Sequence, residues 1–189
     1  QPVAVEKGGG NQQIPVSSVL ADGYTLFSSG SSLWLAPLMR KMPYDTLRDF
    51  APVSMASRTP NVLVVHPSVP VKTLNELIAF AKARPGQLNY GSGSPGGSNH
   101  LGGELLKSLA RINIVAIPYA NITQQTADLV AGQTQIQIDS PAQVMVHVKT
   151  GKLRALAVTT AEPSPLAPGL PTVAATVPGY EYISTSATM

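Results

Sequence analysis

The sequence predicts an α/β protein, and three observations carry that prediction. Short apolar runs alternate with segments whose apolar residues recur at helical spacing. Gly or Pro punctuates nearly every join between them. No apolar run reaches the ~18 residues that a membrane helix needs.

In chain order, residues 3–5 read as a strand and Gly8-Gly9-Gly10 as the turn after it. Residues 12–20 suit a short helix only if Pro15 lies in its first turn, where a missing N–H removes no helical bond. Ala21-Asp22-Gly23 closes that helix, and residues 24–28 resume a strand. Residues 61–66 form the most apolar strand of the chain. Thr73 and Glu76 then have capping-box spacing, Leu74, Leu77, Ile78 and Ala81 share one helical face, and Pro85-Gly86 stops the run. Residues 88–90 give a short strand that enters a glycine-rich stretch, 91–98. The helix predicted over 99–110 is expected to turn Leu101, Leu105, Leu106 and Leu109 inward. A strand at 114–117, a helix at 123–130 and a strand at 136–139 follow. A helix at 142–150 ends at Gly151, a strand occupies 153–159, and the proline-rich segment 162–171 is a loop.

Composition narrows the function. With 189 residues the chain can form one domain or two small ones, and 43% hydrophobic against 12% charged residues suits a packed core. The net charge of +3 comes from scattered Lys and Arg, whereas a nucleic-acid surface needs them clustered. The absence of cysteine excludes disulfides, thiolate metal sites and a Cys nucleophile. His66, His100 and His147 have no metal-ligand spacing and are expected to pack or cap. No Ser/His/Asp set or carboxylate pair stands at a telling spacing, so no catalytic residue, metal or cofactor is expected.

The stretch Gly91-Ser92-Gly93-Ser94-Pro95-Gly96-Gly97-Ser98, between a strand and a helix, is the most informative local feature. Glycines allow close backbone approach, and the free N–H groups and dipole of the following helix favour an anion. Ser92, Ser94, Ser98 and Asn99 add neutral donors, with no Lys or Arg in the loop. Gly91-x-Gly93-x-x-Gly96 matches a dinucleotide fingerprint, yet Ile117-Pro118-Tyr119 lacks the acidic partner expected after the next strand. Ser98-Asn99-His100 replaces the Gly-Lys-Ser/Thr of a phosphate loop, and no serine has the glycine flanks of a nucleophile elbow. A plain strand-to-helix turn capped by serines stands beside anion binding. Asp139, at a strand end, can accept from a ligand amine or hydroxyl or cap the next helix. Tyr119 can donate its hydroxyl to a ligand or bury its ring, and Trp34 can wall a cleft or join a core.

Many ordered segments then resemble one family. Ala21-Asp22-Gly23-Tyr24-Thr25-Leu26, Pro43-Tyr44-Asp45-Thr46-Leu47-Arg48-Asp49-Phe50-Ala51-Pro52-Val53 and Pro60-Asn61-Val62-Leu63-Val64-Val65-His66-Pro67 are three of them. Leu88-Asn89-Tyr90-Gly91-Ser92, His100-Leu101, Glu104-Leu105, Pro118-Tyr119, Asp128-Leu129 and Gly132-Gln133 follow in order. Gly151-Lys152-Leu153-Arg154-Ala155-Leu156-Ala157-Val158-Thr159 and Leu170-Pro171-Thr172-Val173 close the series. The chain thus resembles the middle of a solute-binding protein of the tripartite tricarboxylate transporter (Bug) family.

The resemblance implies a type II periplasmic-binding fold, two α/β lobes closing on a small acid, with crossing strands at 61–66 and 153–159. The first lobe is expected over 1–62 and 157–189, incomplete relative to the family, and the second over 63–156. The implied ligand-binding residues are Ser92, Ser94, Gly96, Gly97 and Ser98 of the glycine loop, Ser29 and Ser31 in a loop at 28–32 facing it, and Tyr119 and Asp139. The implied function is periplasmic capture of a small carboxylate, commonly a dicarboxylate, for the membrane permease subunits of a transporter. An export signal is expected to have been removed or to lie outside the chain, which starts at Gln1.

The departures are specific. No Pro-Gly-Gly loop precedes Gln1, residues 7–13 shorten a longer family stretch, and Ala120-Asn121 stands where members often carry Lys-Gly. Either the chain is a fragment, or another chain completes its first lobe, a dimer being one route. A small hydrolase or dinucleotide-dependent enzyme on a related scaffold, and a folded remnant that binds nothing, are the competing readings.

Overall fold

The computed structural model describes residues 4–7, 25–39, 41–93 and 96–188. The turn expected at Gly8-Gly9-Gly10, the helix expected over 12–20, and Ser94 lie outside them.

Two sheets organise the described residues. The larger has strand order β6-β5-β7-β4-β8, from β4 (Val62–Val65), β5 (Asn89–Ser92), β6 (Val115–Pro118), β7 (Ile136–Asp139) and β8 (Arg154–Val158). β5 runs parallel to both β6 and β7, so the three C-termini emerge at one edge. β4 runs antiparallel to β7 and β8 and is buried along its length, as a central strand of Val and Leu should be. On one face, α2 (Leu74–Ala83) and α3 (Ser98–Ala110) bury Leu74, Leu77, Ala81 and Leu106 against Leu63, Tyr90 and Ile138. A second cluster unites Leu129 of α4 (Ile122–Val130), Val144 of α5 (Pro141–Lys149), Val62 and Val64.

The local signals explain these boundaries. Thr73 is the N-cap of α2, its hydroxyl accepting from Glu76 N at 3.2 Å while Glu76 Oε2 accepts from Lys72 N. Gly151 follows the C-cap Thr150 of α5, as predicted. One inward assignment fails: Leu109 is 40% exposed, at the end of a face on which Leu106 is fully buried.

The smaller sheet has order β1-β2-β9-β3, from β1 (Ala4–Lys7), β2 (Thr25–Gly30), β3 (Ser54–Pro60) and β9 (Ile183–Thr188). β1 is parallel to β2, while β9 is antiparallel to both β2 and β3. The loop expected at 28–32 is corrected here. Residues 28–30 complete β2, Ser31 makes the turn, and Ser32 begins α1 (Ser32–Met39). Pro37 lies inside α1 and cannot donate to Leu33 O. The hydroxyls of Tyr44 and Thr46 donate to that carbonyl instead, each at 3.3 Å. Trp34 lies on α1 and packs with Tyr44 and Phe50 around Phe27 and Leu33.

The sheets meet where β3 passes into β4. Asn61 N donates to Thr159 Oγ1 and Thr159 N to Asn61 O, both at 2.9 Å. Asn61 Nδ2 donates to Ser184 Oγ at 2.9 Å, and Tyr182 N to Thr159 O at 2.8 Å. One buried asparagine thereby ties the end of β8 to the start of β9.

Candidate functional site

The C-terminal edge of the larger sheet gathers the candidate residues. Ser92 ends β5 and is buried, its hydroxyl donating to Gly93 O. Gly91, one residue earlier, must be glycine for a packing reason. A Cβ there would stand 2.7 Å from Cγ of Gln125, a buried side chain whose Nε2 donates to Gly91 O at 3.0 Å. The loop turns at Gly96, where φ is 81°, and an added Cβ would lie 3.0 Å from Met39 Sδ. The end of α1 therefore approaches the glycine loop from the side of the smaller sheet.

Gly97 is the N-cap of α3 and makes no side-chain cap, and the first turn carries no acidic residue. The helix end thus presents backbone N–H groups and the positive end of its dipole without a carboxylate of its own. Ser98 supplies the first helical backbone N–H. His100 turns back, its Nδ1 accepting from Gly96 N at 3.4 Å.

Asp139 ends β7 in the same region and is 4% exposed. It does not cap α5, whose N-cap is Ser140. Its Oδ1 accepts from Ser140 N at 2.7 Å, and its Oδ2 accepts from Asn99 Nδ2 and Gln137 Nε2, both at 2.9 Å. Burial pushes its carboxyl above the usual range, against the lowering effect of those three bonds. The folded state therefore binds this proton more readily than the unfolded state does. Its stability contribution is complete below the ordinary aspartate value and is lost as pH rises through the raised one. Relative to Asp139→Asn, the wild type is expected to lose stability as pH climbs above the ordinary aspartate value of about 4. Urea unfolding at stepped pH measures this, and a difference that stays flat over the range contradicts it.

The structure distributes the other candidates unevenly. Tyr119 N donates to Ser92 O at 2.8 Å, which joins the ends of β6 and β5. Its hydroxyl, however, donates to Asp128 Oδ2 of α4 at 2.8 Å, and burial followed by that bond pushes it up to about 12. Ser29 lies within β2, buried and opposite Ala187. Ser31 contributes its carbonyl to the first turn of α1, accepting from Trp34 N and Leu35 N. Sequence reasoning missed Gln125 and Gln137. The available signal was a glutamine between two isoleucines in a buried strand, Ile136-Gln137-Ile138. Among the described residues no cluster of three metal-ligating side chains occurs, and no helix is long and apolar enough to cross a membrane.

Comparison with known proteins agrees with this architecture. The family model described as tripartite tricarboxylate transporter family receptor matches residues 1–188. Protein BugT of Bordetella pertussis is 36% identical over 181 residues, which cover 92% of this chain and 56% of BugT. The solved structure of R. palustris Rpa4515 with adipate is 36% identical with a TM-score of 0.82, covering 92% of this chain and 59% of that one. The periplasmic binding protein BugD shares the fold with a TM-score of 0.83 at 24% identity, over 92% of this chain and 58% of that one. The chain thus spans a little over half the length of these proteins.

Proposed function

The chain belongs to the tripartite tricarboxylate transporter family of receptors, and from that premise we propose that it is part of a periplasmic solute receptor for a small dicarboxylate. The solute is held between the two sheets and passed to membrane permease subunits, without chemical conversion. One observation carries the reading. The first turn of α3 opens at the glycine loop with neither a side-chain cap nor an acidic residue, so its N–H groups suit a carboxylate.

In this reading Gly97 and Ser98 offer backbone donors, Gly96 turns the loop with its own N–H on His100 Nδ1, and Ser92 and Ser94 are assigned to the same cradle. Ser29 and Ser31 approach from the smaller sheet, while Tyr119 and Asp139 bound the sheet edge. The lobe expected over 63–156 extends further along the chain, because β8 runs to Val158, and Val173, Val177 and Tyr180 pack with Leu63 and Leu77 in the core of the larger sheet. The linkage of Asn61, Thr159 and Ser184 is where the two lobes pivot. Contacts made only in the closed arrangement shift the population towards closure. The adipate held by the 36%-identical R. palustris protein supports a dicarboxylate.

Isothermal calorimetry of the purified chain with acetate, malate, adipate and citrate is the test. Saturable heat with a dicarboxylate is expected. A folded chain that gives no heat with any of the four acids loses this assignment.

A further inference from the structure

We infer that Asp139 is a positioning residue for the cradle, setting the side chain of Asn99 and acting through it rather than touching the solute. The inference rests on the receptor reading above. Three donors from three places converge on this one carboxylate: Asn99 from the first turn of α3, Gln137 from within β7, and the backbone N–H of Ser140 at the start of α5. At 4% exposure, the carboxylate has its oxygens turned into the protein and towards those donors.

The surrounding network is oriented to serve it. Gln137 is fully buried and directs its amide nitrogen to both Asp139 Oδ2 and Thr126 Oγ1 of α4. Its Oε1 finds no partner among the described residues. A buried carbonyl left unpaired is costly. That cost is borne because both groups facing the nitrogen need a donor: Asp139 Oδ2, and Thr126 Oγ1, whose own hydrogen goes to Ile122 O. Asn99, by contrast, is half-buried and sits one residue inside the helix end that faces the glycine loop. With one amide hydrogen held by Asp139, its side chain stays in one conformation, and its other hydrogen has no partner among the described residues. A group fixed in advance loses less conformational freedom when it binds. An anion beside the cradle would oppose a carboxylate solute if exposed. Burial lessens that conflict by favouring the neutral, protonated carboxyl.

A double-mutant cycle decides between acting through Asn99 and acting directly. Calorimetric Kd values for adipate and malate are measured for the wild type, Asn99→Ala, Asp139→Asn and the double variant. Each single change is expected to weaken binding about tenfold or more, and the double variant to bind no worse than Asn99→Ala alone. Losses that multiply in the double variant would mean that Asp139 meets the solute itself. Wild-type affinity in Asn99→Ala would overturn the inference outright.

A second measurement needs no solute. The side-chain amide resonances of Asn99, followed by NMR from pH 3 to 8, are expected to titrate in the wild type. They should stay flat in Asp139→Asn, with His100→Gln as the control for the other titratable group on that turn. Flat resonances in the wild type would sink the positioning role. If the wild type binds neither acid, the receptor reading falls, and the NMR result alone decides whether Asp139 sets Asn99.

Discussion

Gly97→Asp is expected to abolish carboxylate binding while leaving the fold as stable as before, or slightly more so. The two effects have opposite signs because they share one cause. Gly97 is the N-cap of α3 and supplies no side-chain acceptor. An aspartate at an N-cap accepts from the N–H groups of the first turn and gains a few tenths of a kcal/mol over glycine. Its charge at the positive end of the helix dipole adds ~0.3–1 kcal/mol. Those same N–H groups are the ones a bound carboxylate would use. If two charge-assisted bonds are lost, at ~1.5–3 kcal/mol each, Kd rises by about 100-fold to 10,000-fold. Calorimetry and thermal denaturation on one preparation separate the effects. Unchanged affinity would remove the glycine loop from the site. Lost affinity with a collapsed Tm would reflect misfolding and leave the cradle unsupported by this variant.

What the sequence made legible is what local chemistry decides. The boundaries of α2 follow from Thr73 and Glu76, and β7 falls on the predicted residues 136–139. The glycine loop stood out because strand, glycines and helix are contiguous. Three elements went unseen for physical reasons. α1 carries Pro37 in its interior and lacks an apolar face at helical spacing, so nothing local marks Ser32–Met39 as helical. β3 and β9 read Ser-Met-Ala-Ser-Arg-Thr-Pro and Ile-Ser-Thr-Ser-Ala-Thr, with no alternation of apolar and polar residues. They are strands because they pair with one another, with Ser57 opposite Ser186 across 129 positions. The site divides along the same line. Its backbone donors were visible, but the bond between Asn99 and Asp139 spans 40 positions and belongs to tertiary structure. For Tyr119, the position beyond β6 was correct, and the acceptor Asp128 on α4 was beyond what spacing can show.

The larger loss of stability is expected nearly two turns further along the same helix, at Gly103→Ala. Helix propensity alone would favour the change by up to ~1 kcal/mol. Packing opposes it. A Cβ at Gly103 would stand 2.6 Å from Cζ of Tyr90 and closer still to Cε2. The ring has nowhere to go, because Tyr90 is fully buried in the main cluster and its hydroxyl donates to Glu104 Oε1 at 2.7 Å. That carboxylate is itself bridged by Lys107 at 2.8 Å. Burial raises the Glu104 carboxyl, and the bonds from Lys107 and Tyr90 outweigh it and hold the group below the usual range. Either the ring or the helix must move, and overpacking of this kind costs ~1–3 kcal/mol. So close an approach puts the cost near the upper end, for a net loss of about 2 kcal/mol and a fall in Tm of about 4–8 °C. Gly102→Ala is the control, since its Cβ would meet nothing nearer than Tyr182 Cδ1 at 3.3 Å, and it should be close to neutral. Equal Tm values for the two variants would contradict the packing argument. Where the helix rather than the ring gives way, the first turn of α3 moves with it, and the affinity for dicarboxylates should fall alongside the Tm.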